Sequence, residues 1–287
     1  MKHILVGSAL ACAAALSAVA GEKTVGTGDA FKGPVGLQLY SLRDSFKKDV
    51  PGTLDAVKAF GFKYVELAGT YGLSAGEFRK MLDARGLVAI AGHFPMDRYL
   101  KDPDGLAKEA KDLGLQYTGV AWYGHKAPLD EAQCLKMAAD FNAAGKNMAE
   151  RGLKFYYHNH GYEFHPHGDG TLFDLLMAKT DPNTVFFQMD VLWTIFPGQD
   201  PARLIEKYGA RWHLLHLKDL RKGVQGDMSG KTPVTNDVAL GTGQVDYAAL
   251  LKAAQKAGVK WYFIEDESPS VKDQIPVTLK FLSGVSW

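Results

Sequence analysis

Gly152-Leu153-Lys154-Phe155-Tyr156-Tyr157-His158-Asn159-His160-Gly161-Tyr162-Glu163 decides the architecture. It opens on a glycine suited to the left-handed position just past a helix end, and an apolar strand follows at once. The strand gives way to imidazole, amide and carboxylate. Side chains alternate along a strand, so His158 and His160 point the same way. A strand that ends in such groups is either a solvated rim or a place where something polar binds. Recurrence elsewhere in the chain decides between the two.

The pattern recurs. Gly61, Gly86, Gly114, Gly152, Gly209 and Gly258 each close a helical stretch and are followed by apolar runs at 62–67, 87–92, 115–122, 153–160, 210–217 and 259–265. Two further runs, 35–40 and 184–190, have the same character without the glycine. Runs apolar on both faces are strands covered by helices. Helix starts are legible between them. Ser74 with Glu77 forms a capping box, Asp200-Pro201 places a cap before a first-turn proline, and Asp130 precedes a long helix. Eight strands alternating with helices over about 250 residues predict an α/β fold, a single-domain (β/α)8 TIM barrel. A doubly wound open sheet fits less well, because Leu39-Tyr40-Ser41-Leu42-Arg43 stands where its Gly-rich phosphate loop would follow the first strand.

Residues 1–20 read as an export signal: a basic start at Lys2 and His3, an apolar run, and Ala18-Val19-Ala20 before Gly21. Residues 21–32 are expected as a flexible leader, and 33–287 as the catalytic barrel. The expected location is periplasmic or secreted, with no membrane contact after cleavage. Cleavage would remove Cys12 and leave Cys134, so no intramolecular disulfide supports the fold. The formal charge of +1 gives no general attraction to nucleic acid or to an anionic membrane. The oligomeric state is left open, with a homo-oligomer allowed.

On a barrel the strand ends gather at one face, where active sites of this fold lie. Glu66, His93, Trp122-Tyr123, His158, His160, Asp190, His216, Lys218 and Glu265 all stand at or just past such ends. Histidine and carboxylate together, with no usable cysteine, suit a divalent ion of the Mn, Co, Zn or Fe type. Trp122, Tyr123 and Trp193 stand where the flat apolar face of a bound molecule would stack.

Tyr64-Val65-Glu66-Leu67, Tyr157-His158-Asn159-His160, Met189-Asp190, His216-Leu217-Lys218-Asp219, Gly241-Thr242-Gly243-Gln244-Val245-Asp246 and Ile264-Glu265 resemble the xylose isomerase-like sugar isomerase and epimerase barrels. The resemblance implies a metal held by Asp190, His216, Glu265 and a fifth-strand ligand. Epimerases of that family place a glutamate where this chain has His158, so either His158 or Glu163 is expected to complete the set. The His-Asn-His version is closer to the inosose dehydratase-like and keto-sugar lyase-like branches. The reading that follows is a metal-dependent sugar isomerase or epimerase acting on an unphosphorylated sugar by proton abstraction beside a carbonyl. A keto-glycoside lyase or inosose-type dehydratase is its alternative, and an inactive sugar-binding barrel or an abasic-site endonuclease are further rivals. His160 or Glu163 is expected to move the proton and Lys218 to contact a substrate oxygen. Glu66 and His93 are expected to orient hydroxyls or assist the leaving group.

Overall fold

The computed structural model describes residues 24–287; the expected export signal and residues 21–23 lie outside them. The strands are β1 (Val35–Gln38), β2 (Tyr64–Leu67), β3 (Val88–His93), β4 (Tyr117–Val120), β5 (Lys154–His158), β6 (Val185–Asp190), β7 (Trp212–Leu217) and β8 (Trp261–Ile264). Each pairs in parallel with the next, and β1 closes the ring on β8 with Gly36 opposite Phe263. The expected (β/α)8 barrel is what the chain forms.

The surrounding layer contains α1 (Val50–Ala59), α2 (Ala75–Asp83), α3 (Pro103–Leu113), α4 (Glu131–Ala149), α5 (Leu172–Lys179), α6 (Pro201–Tyr208), α7 (Tyr247–Ala257) and α8 (Val271–Gly284). The caps act as the sequence implies. Glu77 N donates to Ser74 Oγ while Ser74 N donates to Glu77 Oε2, and Asp130 and Asp200 accept from Gln133 N and Arg203 N. Gly114 and Gly258 end α3 and α7 in the left-handed conformation, at φ 82° and 79°. No helix among the described residues is long and apolar enough to cross a membrane.

Alternation along the strands divides the barrel interior into two storeys. Tyr64, Tyr117, Tyr156, Leu214, Trp261 and Phe263 form an apolar floor. Two residues further along their strands stand Glu66, His158, His216 and Glu265, all buried. The floor is tightly fitted: a Cβ on Gly119 would lie 2.2 Å from the Tyr156 ring.

Two expectations need correction. Residues 24–32 are packed rather than loose: Phe31 is fully buried edge-on to Tyr262, and Gln255 accepts from Lys32 N and donates to Ala30 O. One aromatic side chain and paired backbone groups suffice to anchor so short a segment. Strand β1 stops at Gln38, because the Gln38 side chain accepts from Tyr40 N and turns Leu39–Leu42 into a 3-10 helix.

Candidate metal centre and substrate cavity

The upper storey is one hydrogen-bonded cluster. At its base the buried Glu66 accepts from Gln188 Nε2 at 3.0 and 3.1 Å and from the Tyr156 hydroxyl. His216 Nε2 lies 2.5 Å from Glu66 Oε2, and its Nδ1 lies 3.1 Å from Glu265 Oε2. Gln188 Oε1 faces His158 Nδ1 at 2.9 Å and His93 Nε2 at 3.3 Å. Asp190 is held by Asn159, whose Oδ1 accepts from Asp190 N, and Asp190 Oδ1 accepts from Trp193 N. Its other oxygen, Oδ2, is buried and has no hydrogen-bond partner.

Two sets of side chains bring their donor atoms within 4.8 Å of one another: Asp190, His216 and Glu265, and His93, His158 and His216. His216 belongs to both, and His158 Nε2 lies 3.5 Å from Asp190 Oδ2. Of the two fifth-strand candidates, His158 reaches the cluster. Glu163 does not. It sits on the 3-10 turn Tyr162–Phe164, which folds its carboxylate back to accept from the Tyr157 hydroxyl and from His160 N at 3.0 Å. Burial there pushes its carboxyl up to about 7.

Electrostatics divides the cluster into charged and neutral members. Burial opposes charge on His216, but Glu66 and Glu265 on either side raise it to about 10, so it is an imidazolium when no metal is bound. Burial would raise Glu66, yet His216, His93 and the Tyr156 hydroxyl hold it below its ordinary value. Burial and the neighbouring His216 keep His158 well below the usual histidine range, and burial with Lys218 lowers His160 to about 3. Burial raises Asp190 to about 7 against the pull of Lys218. A buried carboxylate oxygen that accepts no hydrogen bond, with an ammonium only as near as 3.8 Å, is suited to a further cationic partner.

Lys218 is 1% exposed and enclosed by carboxylates. Its Nζ donates to Glu267 Oε1 at 2.6 Å and Glu265 Oε2 at 3.2 Å, with Asp237 and Asp190 at 3.6 and 3.8 Å. The expected contact to a substrate oxygen is therefore corrected: the ammonium is consumed inside the protein. Glu66, expected to orient hydroxyls, is likewise sealed under the cluster by His216, Gln188 and Tyr156.

Above the cluster opens a cavity of about 410 Å3 whose wall includes His93, His158, His160, Trp122, Trp193 and Glu265. His160 packs against Trp122 and stacks on Trp193, at ring separations of 5.2 and 6.0 Å. Tyr123 is absent from this wall. Past the end of β4, Ala121 and Trp122 border the mouth, while Tyr123 is buried and donates its hydroxyl to Asp140 on α4.

Reading for ionisable side chains misses part of the machinery. Gln188 and Tyr156 look like core residues, although each stands two positions before a strand-end member of the cluster, Asp190 or His158, and both bond to Glu66. Asp237 comes from the loop after β7, whose residues Asp219–Leu220 and Asp237–Val238 form an antiparallel ribbon. The same loop brings Gly230 to the cavity wall. Asp219 anchors the Gly-x-Gly-x-Val segment by accepting from the backbone of Gly241, Gly243 and Val245.

Comparison with known proteins agrees with this geometry. Residues 54–284 match the family described as "Xylose isomerase-like TIM barrel". The inosose dehydratase of Clostridium botulinum is 24% identical over 258 residues, covering 77% of this chain and 83% of that protein. A sugar phosphate isomerase/epimerase from Parabacteroides distasonis superposes with a TM-score of 0.74 at 22% identity, over 87% of this chain and 93% of the other. The IOLI protein, solved with a zinc atom, superposes with a TM-score of 0.67 at 13% identity, over 86% and 95%. At these identities the structural matches establish a shared fold.

Proposed function

This chain belongs to the xylose isomerase-like TIM-barrel family, and on that footing we propose that it is a divalent-metal-dependent dehydratase or lyase acting on an unphosphorylated keto-sugar or keto-cyclitol. One observation carries the choice. The carboxylates in the cavity wall, Glu265 and Glu267, both follow β8, whereas the β5 position holds the imidazole of His158. Epimerisation by two glutamates on opposite faces of a sugar lacks its second carboxylate here. Elimination needs one group to take a proton and to return it to a leaving oxygen. The similarity to an inosose dehydratase supports the same preference over the isomerase or epimerase reading.

Asp190, His216 and Glu265, with His158, fit a divalent ion: their donor set mixes nitrogen and oxygen, and Asp190 Oδ2 accepts no hydrogen bond from the described residues. Bound there, such an ion supplies Lewis-acid stabilisation of the negative charge that grows on a carbonyl oxygen when the neighbouring proton leaves. The zinc of the IOLI structure favours a similar ion without fixing its identity.

The chain supplies the rest. Trp122 and Trp193 seat the apolar face of the ring. His160 lines the cavity in its neutral form, so its ring can accept a proton there. It takes the proton from the carbon beside the carbonyl. The bond from the next carbon to its oxygen breaks, the electron pair leaves with the oxygen, and His160 returns the proton to it. The products are an unsaturated ketone and water or an alcohol. Among the described residues no lysine or arginine lines the cavity, which disfavours a phosphorylated substrate. Export directed by residues 1–20, placing the protein in the periplasm or outside the cell, belongs to the same reading.

Metal-loaded protein incubated with inosose and keto-glycosides in deuterated water tests it. Deuterium is expected beside the carbonyl in recovered substrate, and the product is expected to be an unsaturated ketone absorbing in the near ultraviolet. A product that is only the epimer of the substrate would refute elimination.

A further inference from the structure

A second cavity, of about 490 Å3, adjoins the first, and Glu267 lies in the wall of both. The two are also joined along their edges. Tyr40 lines the first and Arg43 the second, and the Arg43 guanidinium lies over the Tyr40 ring at 4.7 Å while donating to Glu267 O at 2.9 Å. The loop after β7 contributes to both, with Gly230 in the first wall and Val234 in the second. The two cavities thus lie side by side across Glu267, and the second reaches the start of α8.

The chemistry of the paired cavities is that of a carbohydrate site. Tyr40, Trp122 and Val234 are 43%, 47% and 39% exposed, and these large apolar side chains border the two cavities, where exposure of apolar surface marks a ligand groove. The second wall adds the hydroxyl-bearing Ser41, Ser45, Ser268 and Ser270. Its charges are mixed: Arg43 and Lys272 stand against Asp44, Asp273 and Glu267. A phosphate or sulfate would meet those carboxylates, so a neutral polyhydroxylated ring is the better fit. Fixed donors and acceptors beside a few apolar contacts recognise such a ring.

We propose that the second cavity is a subsite for a second sugar ring, so that the substrate is a keto-glycoside rather than a single free ring. This rests on the elimination reading above and deepens it. With one ring over the metal ligands and the next beyond Tyr40, the bridging oxygen lies beside Glu267. The base takes the proton beside the carbonyl, the bond from the ring carbon to the bridging oxygen breaks, and that oxygen takes the proton. An unsaturated keto-sugar and a free second sugar result.

Binding separates this from the chemistry. Isothermal titration of the metal-loaded protein with cellobiose, maltose and lactose, against methyl glucoside and methyl galactoside, measures the second ring without turnover. At least one disaccharide is expected to bind about tenfold more tightly than its methyl glycoside. Val234→Trp, which fills the outer cavity, is expected to cut that preference to about twofold or less. Equal affinities, no binding by any disaccharide, or a preference unchanged in V234W would each overturn the subsite. Disaccharide preference without deuterium exchange would leave the subsite standing and remove the elimination; exchange without the preference would do the reverse.

Discussion

His216 and Glu66 form an ion pair at the centre of the barrel, with His216 Nε2 2.5 Å from Glu66 Oε2 and neither side chain exposed. This fixes the ring so that Nδ1 is directed to Glu265, a member of the proposed ligand set. A carboxylate behind a ligating histidine orients the ring and raises its basicity. Glu66→Gln keeps the shape and removes the charge, so metal affinity is expected to fall about 10- to 100-fold with the fold retained. Competition with a chromophoric chelator measures this; an unaltered affinity would show that Glu66 does not position His216.

Glu163→Gln distinguishes the carboxylate that the turn folds away from those that gather at the centre. Metal content is expected to stay that of the parent protein. Stability should respond instead. Burial holds the Glu163 carboxyl at about 7, above its ordinary 4.5. Below pH 4.5 both folded and unfolded chains carry the proton. As pH rises towards 7 the unfolded chain sheds it first, so the stability contributed by this group declines over that window, by on the order of 3 kcal/mol. Glutamine has no such proton. Denaturant unfolding at pH 5 and pH 7.5 should therefore lose less stability in E163Q than in the parent, and equal losses would argue against a protonated Glu163.

Lys218 is the ammonium about which Asp190, Asp237, Glu265 and Glu267 are arranged. Burial opposes its charge, but Glu265 and the other carboxylates hold it well above the ordinary lysine range. Lys218→Met leaves those carboxylates buried without it, and removing one partner of a buried ion pair costs about 3–5 kcal/mol. The metal-free protein should lose that much in chemical denaturation, with part regained on adding a divalent ion. Unchanged stability in the metal-free variant would mean that the carboxylates are neutralised some other way.

The barrel was legible because its signals repeat: six glycines closing helices, and runs apolar on both faces, each fixed by local backbone and burial physics. Asp190, His216, Glu265 and His158 were legible for a related reason, since strand ends on one barrel face must converge. What escaped depends on contacts that sequence distance hides. Gln188 and Tyr156 carry no charge and read as core, yet both bind Glu66. Asp237 reaches Lys218 only because a ribbon folds the loop back. Glu163 and Tyr123 lie away from the mouth because a 3-10 turn folds one carboxylate back onto Tyr157 and the other side chain reaches Asp140 on α4.

His160 is where proton transfer and metal holding can be pulled apart. Its ring lines the cavity between Trp122 and Trp193 and is absent from both clusters of converging donor atoms. His160→Gln keeps a polar side chain of similar reach but has no basic nitrogen. Loss of a general base typically slows a reaction by about 10²- to 10⁴-fold. Turnover and solvent-deuterium incorporation should both fall by that order while the metal content of H160Q stays that of the parent. Loss of metal would make His160 a ligand or a support for one. Full exchange in H160Q would move the proton to another group, and His93, an imidazole of the wall that lies 3.3 Å from Glu66 and from Gln188, would be the next to replace.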